Sequence, residues 1–116
     1  MRKILKRIAV FLVFIIGTSN SKALMCTGPV SGVSVNIQTG SVLAASVAGL
    51  NFPVLCSTSS TVNNIPPANC SKFFATLLTA QVTKKTITLY FSQGDSCSSF
   101  KAWELAPTFY HYTLND

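Results

Sequence analysis

The chain has 116 residues, with nine Lys+Arg, three Asp+Glu and one His, a formal charge of +6. Five of the basic residues (Arg2, Lys3, Lys6, Arg7 and Lys22) precede residue 24, leaving four lysines against three carboxylates beyond it. A domain that near to neutral lacks the basic surface that nucleic-acid binding requires, and so few carboxylates with a single histidine leave little for acid–base chemistry.

Met1–Arg7 is basic, Ile8–Ile16 is an unbroken apolar run, and Gly17–Ala23 turns polar and ends in small residues. That order predicts a secretory signal peptide over 1–23, cleaved after Ala23 and of bacterial type. A spanning helix needs about 20 apolar residues, twice this core, so no membrane anchor is expected and no membrane insertion after cleavage. Bulky Met25 directly before Cys26 argues against lipid attachment. The expectation is a single domain over 24–116, secreted or periplasmic.

Cys26, Cys56, Cys70 and Cys97 all follow the signal. An even number of cysteines in a small exported domain reads as two disulfides, with three connectivities open. No C-x-x-C pair occurs, which speaks against a metal site and against thiol redox catalysis; no cofactor is expected. Asn69-Cys70-Ser71 matches the glycosylation pattern, but Cys70 is wanted for a bridge and the signal is bacterial in type.

Val33, Val35 and Ile37 alternate with Ser34, Asn36 and Gln38, which predicts a half-buried strand. Thr39-Gly40 supplies a turn and Ser41–Val47 the returning strand. Ala48-Gly49 breaks it, and Asn51–Cys56 is a third strand, demoted by Pro53 to an edge or bulged position. Residues 57–68 form a polar loop ending in a double proline. From Asn69, a suitable cap, apolar residues at Cys70, Phe73, Phe74, Leu77, Leu78 and Val82 mark one face of a core-facing helix. Lys84 and Lys85 complement its negative end. Thr86–Phe91 returns to a period of two. Phe100–Leu105 is ambiguous, and Thr108–Leu114 is a final aromatic strand.

This order predicts a mainly β chain with one helix (α+β), either a small five-stranded OB-fold-like barrel or a twisted antiparallel sheet with the helix across one face. In the barrel the first strand runs antiparallel to the fourth. Cys26, before the first, would then lie beside Cys97, after the fourth, and Cys56 would meet Cys70 across the loop before the helix. That architecture therefore selects Cys26–Cys97 and Cys56–Cys70, both able to approach the Cα spacing of about 6 Å that a bridge demands.

Cys70–Phe91 (CSKFFATLLTAQVTKKTITLYF), an apolar helix, a short polar turn and a Val/Ile-type strand, resembles the corresponding stretch of pentamer-forming bacterial toxin B subunits of the pertussis and subtilase cytotoxin type. The chain is also similar to uncharacterised small secreted bacterial proteins with the same cysteine order. The toxin resemblance implies an exported, disulfide-bonded OB-fold that binds glycans and assembles as a homo-oligomeric ring. It transfers no individual binding residue.

The sequence itself favours binding over catalysis. There is no G-x-S-x-G, no closely spaced carboxylate pair and no phosphate-cradling glycine loop, and lone His111 on a strand reads as a surface residue rather than a base. Trp103, Tyr110 and Tyr112 are the candidate ligand or partner contacts, because such rings stack on sugars or anchor interfaces. Trp103 reads first as a core residue or the plug of one barrel end, and only then as a contact. Tyr110 and Tyr112 are expected on one strand face, opposite Phe109 and His111. Ser34, Asn36 and Gln38 offer a polar face to a ligand. The expected function is a non-catalytic binding module with a glycan or protein partner, the alternative being a periplasmic or surface interaction subunit. A small enzyme is the least favoured expectation.

Overall fold

The computed structural model describes residues 23–116; the secretory segment expected over residues 1–23 lies, but for Ala23, outside the described residues. The elements follow as β1 (Leu24–Pro29), β2 (Ser34–Val35), β3 (Ser41–Leu43), β4 (Ser46–Val47), β5 (Leu50–Asn51), β6 (Val54–Ser57), α1 (Pro67–Thr83), β7 (Thr86–Phe91) and β8 (Phe109–Leu114). The domain is mainly β with one helix, and every strand pair within its sheets is antiparallel. The expected five-stranded barrel is not formed. Eight strands fall into three open sheets, ordered β1-β7-β8, β2-β3-β6 and β4-β5.

The breaks have local causes. Asn36 ends β2 by turning its side chain back on the backbone: its Oδ1 accepts from the N–H groups of Gln38 at 2.9 Å and Thr39 at 3.1 Å. Ile37, expected on a strand, therefore sits at the turn, 93% exposed. Gly40 closes this turn at φ +80°, where a Cβ would lie 2.9 Å from the Ser59 backbone nitrogen. Ala48 and Gly49, both at positive φ, close the β4–β5 hairpin as a type I′ turn. Phe52 (φ +49°) and Pro53 then interrupt the strand predicted over Asn51–Cys56. Leu55 is one residue too many for the β3–β6 register, a bulge that bends β6.

A strand was hidden at the start of the domain. β1 lacks an apolar alternation in its sequence (LMCTGP), yet it pairs along its whole length with β7, from Leu24 opposite Phe91 to Pro29 opposite Thr86. It is thus β1, containing Cys26, and not the stretch from Val33, that runs antiparallel to Thr86–Phe91. The bridge of Cys26 to Cys97 forms as expected, with Cα atoms 5.7 Å apart, and Cys56–Cys70 forms at 5.8 Å. Two such bridges belong to oxidising surroundings, extracellular or periplasmic. No helix among the described residues is long and apolar enough to cross a membrane.

The double proline starts α1 three residues earlier than expected: Pro66 is the extended residue before the helix and Pro67 occupies its first turn, so Asn69 lies inside it and caps nothing. Proline suits this position because its missing N–H has no intrahelical acceptor there in any case. The buried stripe is Cys70, Phe73, Leu77 and Ala80, narrower than predicted, with Leu78 and Val82 left exposed. Lys84 ends the helix in the left-handed conformation (φ +63°), its backbone N–H donating to the Ala80 carbonyl.

The core lies between this stripe and the inner faces of the sheets. Ile87, Leu89 and Phe91 of β7 are fully buried, as are Val42, Leu55 and Cys56 of the second sheet. The stretch predicted ambiguously as Phe100–Leu105 forms no strand within a sheet. It runs parallel to β6 through a single bridge, Val54 opposite Leu105, held by Val54 N–H to the Glu104 carbonyl at 3.0 Å and Ala106 N–H to the Val54 carbonyl at 2.9 Å. An isolated antiparallel bridge, with backbone bonds exchanged between Ser31 and Ser46, ties the chain just after β1 to β4.

Candidate functional site

Residues 57–68 look featureless in sequence, but they build one wall of a groove. Val62 and Ile65 exchange backbone hydrogen bonds across Asn63 and Asn64, both at positive φ (+60° and +62°), which makes a type I′ turn. Asparagine tolerates that conformation because its short amide bonds locally. The Asn63 amide nails the turn down: its Nδ2 donates to the carbonyls of Leu55 and Pro107, and its Oδ1 accepts from the Thr108 hydroxyl at 2.9 Å. Asn64 is left exposed at the rim, and Pro66-Pro67 turns the chain directly into α1.

The second wall is α1, which presents Asn69, Lys72 and Phe73. Phe73 is 2% exposed and forms the floor, tilted against Phe109 at 5.2 Å and Tyr112 at 4.7 Å between ring centroids. The third wall is β8. Together they enclose a cavity of about 550 Å³ bordered by Phe109, Tyr110, His111 and Tyr112. This lies within the size range of small-ligand clefts. Lys72 and His111 are the polar groups able to carry positive charge at its border, and Asp95, Glu104 and Asp116 are not among its lining residues.

A bulge shapes the β8 wall. Tyr90 stands opposite His111 while Phe91 stands opposite Phe109, so Tyr110 is the extra residue. The bulge cancels the alternation expected for this strand. Tyr110 and His111 both end up exposed on the side away from the core, and Phe109 and Tyr112 both pack inward. The expected pairing of Tyr110 with Tyr112 on one face is therefore wrong. The Tyr90 ring gathers the outward pair, with Tyr110 at 6.4 Å and His111 edge-on at 5.1 Å.

The outer face of the β1-β7-β8 sheet is rich in hydroxyls, but it spends them on itself. Thr27 and Thr88 share a 2.7 Å hydrogen bond, the Asn115 amide donates to the hydroxyls of Thr86 and Thr88 at 3.0 Å, and the Thr113 hydroxyl donates to the Tyr90 oxygen at 3.3 Å. A satisfied ladder of this kind stabilises the sheet and leaves few free donors for a ligand.

Of the residues singled out from sequence, Tyr110 and Tyr112 reach the groove. Trp103 does not: it is neither core nor plug but 66% exposed, stacked at 4.4 Å on Phe52 beside β6. Ser34, Asn36 and Gln38 are exposed around the β2–β3 turn, with the Asn36 side chain committed to holding that turn. Asn64, Asn69 and Lys72 were missed. The Asn63-Asn64 pair before a double proline was the available signal, since it marks a tight turn set against a helix start. Among the described residues, no three His, Cys, Asp or Glu side chains gather to hold a metal ion. No protein-family model, no curated protein and no solved structure matches the chain.

Proposed function

We propose that the chain is an exported, non-catalytic recognition module whose ligand sits in the groove between α1 and β8. The observation that carries this is the convergence of an apolar floor, Phe73 with Tyr112, and an exposed polar rim of Asn64, Asn69 and Lys72 on one cavity. Binding sites are built in this way, with apolar walls and a few placed polar groups. The two disulfides support the exported setting.

A second reading is specifically a glycan-binding, ring-forming subunit like the toxin B chains. It is favoured by the exposed Tyr110 ring, 65% accessible on the outward side of β8, since such a ring can stack on a sugar face.

The test is a parallel screen of the oxidised protein and its Tyr110→Ala variant on a glycan array and a linear peptide library. Hits lost or weakened by the substitution support the groove. Hits indifferent to both Tyr110→Ala and Lys72→Glu place recognition elsewhere and refute it. Light scattering separates the ring-forming subunit, at several protomers, from a monomeric module.

A further inference from the structure

The border of the groove formed by β8 is also the edge of a sheet. β7 lies on one side of β8, and among the described residues no strand lies on the other. The Asn115 N–H donates to the Thr86 carbonyl at 2.9 Å, which sets the phase of the ladder. Antiparallel bonding alternates, so Thr113 and His111 also face β7 with their backbone groups, while those of Tyr112 and Leu114 point away from it. An edge strand with outward N–H and C=O groups is a template for another strand unless something blunts it. The bulge at Tyr110 blunts only the first part; from His111 to Leu114 the register with β7 is regular.

Resting on the groove being the binding site, we infer that it accepts an extended, carboxylate-bearing peptide segment of a partner protein, which adds to β8 as a further strand. The partner's backbone pairs with Tyr112 and Leu114, an edge of about 13 Å at about 3.3 Å per residue, enough for a strand of four or five residues. One alternate side chain of that strand drops onto the Phe73 and Tyr112 floor. An acidic side chain meets Lys72, which is exposed at the rim where no carboxylate of this chain lines the cavity. Charge complementarity is also why the occupant is a foreign segment: Phe109–Leu114 carries no carboxylate, so a second copy pairing along that stretch brings none to Lys72.

The probe is a random linear heptapeptide library displayed on phage, selected against the oxidised full chain, with the best peptide then synthesised and titrated. Enriched sequences should alternate apolar and polar residues and contain Asp or Glu. Lys72→Glu, an exposed change that leaves the core untouched, should weaken binding about tenfold at low salt and less at high salt. Methylating the peptide's backbone nitrogens at alternate positions should abolish binding in one phase and spare it in the other, because only one set faces β8.

Four results overturn the inference: no enrichment, equal binding by both methylated phases, binding unaffected by Lys72→Glu, or a multimeric solution mass with the Tyr112 amide protected by a second copy. If no peptide binds but a sugar does, and Tyr110→Ala removes it, the recognition module survives and the strand-addition inference alone falls. If nothing binds in a groove-dependent way, both fall.

Discussion

Removing the two disulfides one at a time should destabilise the domain unequally, and the inequality can be worked from the chain path. Cys26–Cys97 closes a separation of 71 residues and Cys56–Cys70 one of 14. On a chain-entropy account the first bridge contributes about 4.4 kcal/mol and the second about 3 kcal/mol, both by restricting the unfolded chain. Alanine at these sites also removes buried sulfur. Cys56 and Cys70 are fully buried while Cys97 is only partly so, and the extra void at Cys56/Cys70 narrows the gap from about 1.4 kcal/mol. The Cys26→Ala/Cys97→Ala variant should therefore be the weaker of the two in urea. It should also show the larger rise in denaturant slope, since opening the longer loop exposes more unfolded surface. A domain of typical stability, about 5–15 kcal/mol, is left with little reserve, so both titrations belong in stabilising sulfate. If Cys56→Ala/Cys70→Ala is the weaker variant and the slopes are equal, packing rather than loop entropy governs these bridges and the reasoning fails.

Phe73→Ala should cost about 3–5 kcal/mol, because it empties a position sealed by Phe109 and Tyr112; a loss below about 2 kcal/mol in urea would show that the floor collapses to fill the gap. Lys84→Gly should stabilise the domain by about 1 kcal/mol, since the residue is exposed and held in the left-handed region, and the melting temperature should rise by about 4–8 °C; an unchanged or lower value refutes strain at the helix end. Gly40→Ala should destabilise by about 1–3 kcal/mol through both its positive φ and the approach of Ser59 nitrogen, measured by the same titration; a neutral result would mean the β2–β3 turn can re-form with another geometry.

What the sequence revealed and what it concealed divide along physical lines. The helix and β7 were legible because their apolar residues repeat over several periods, at 3.6 and at 2. The cysteine pairing was legible because an antiparallel partner for Thr86–Phe91 brings Cys26 beside Cys97, and a separation of 14 residues brings Cys56 to the start of the helix at Cys70. β1 was illegible: it is held by its full-length pairing with β7 and by Cys26, and Gly28 and Pro29 read locally as a turn. Gly28 sits where a Cβ would come within 2.8 Å of the Gly49 nitrogen, so the residue that disguises the strand is the one that lets a hairpin close against it. The alternation from Val33 to Gln38 misled in the opposite direction, because an Asn36 side chain can replace a strand partner by bonding to the backbone two and three residues on. The groove was half legible. Tyr110 and Tyr112 stood out as aromatic residues, but a single-residue bulge reassigned their faces, and the rim comes from a turn whose meaning depends on where Asn63 finds its acceptors.

The two bridges are nested, the shorter lying wholly inside the longer. A chain threaded through a translocation pore from its N-terminus presents Cys26 to the oxidising machinery first, and Cys56 next. Oxidation in order of emergence would join those two and leave Cys70 to take Cys97. The native connectivity thus demands that Cys26 wait unpaired, or be released from a wrong partner, until β7 and the loop after it have crossed. Where Cys26 has joined Cys56 on emergence, reaching the folded protein depends on a disulfide isomerase as well as an oxidase. Export in a strain lacking the isomerase should accumulate Cys26–Cys56 species, detectable by mass spectrometry of peptides cut without reduction. Native yield unchanged in that strain would mean that folding of the strands outruns oxidation.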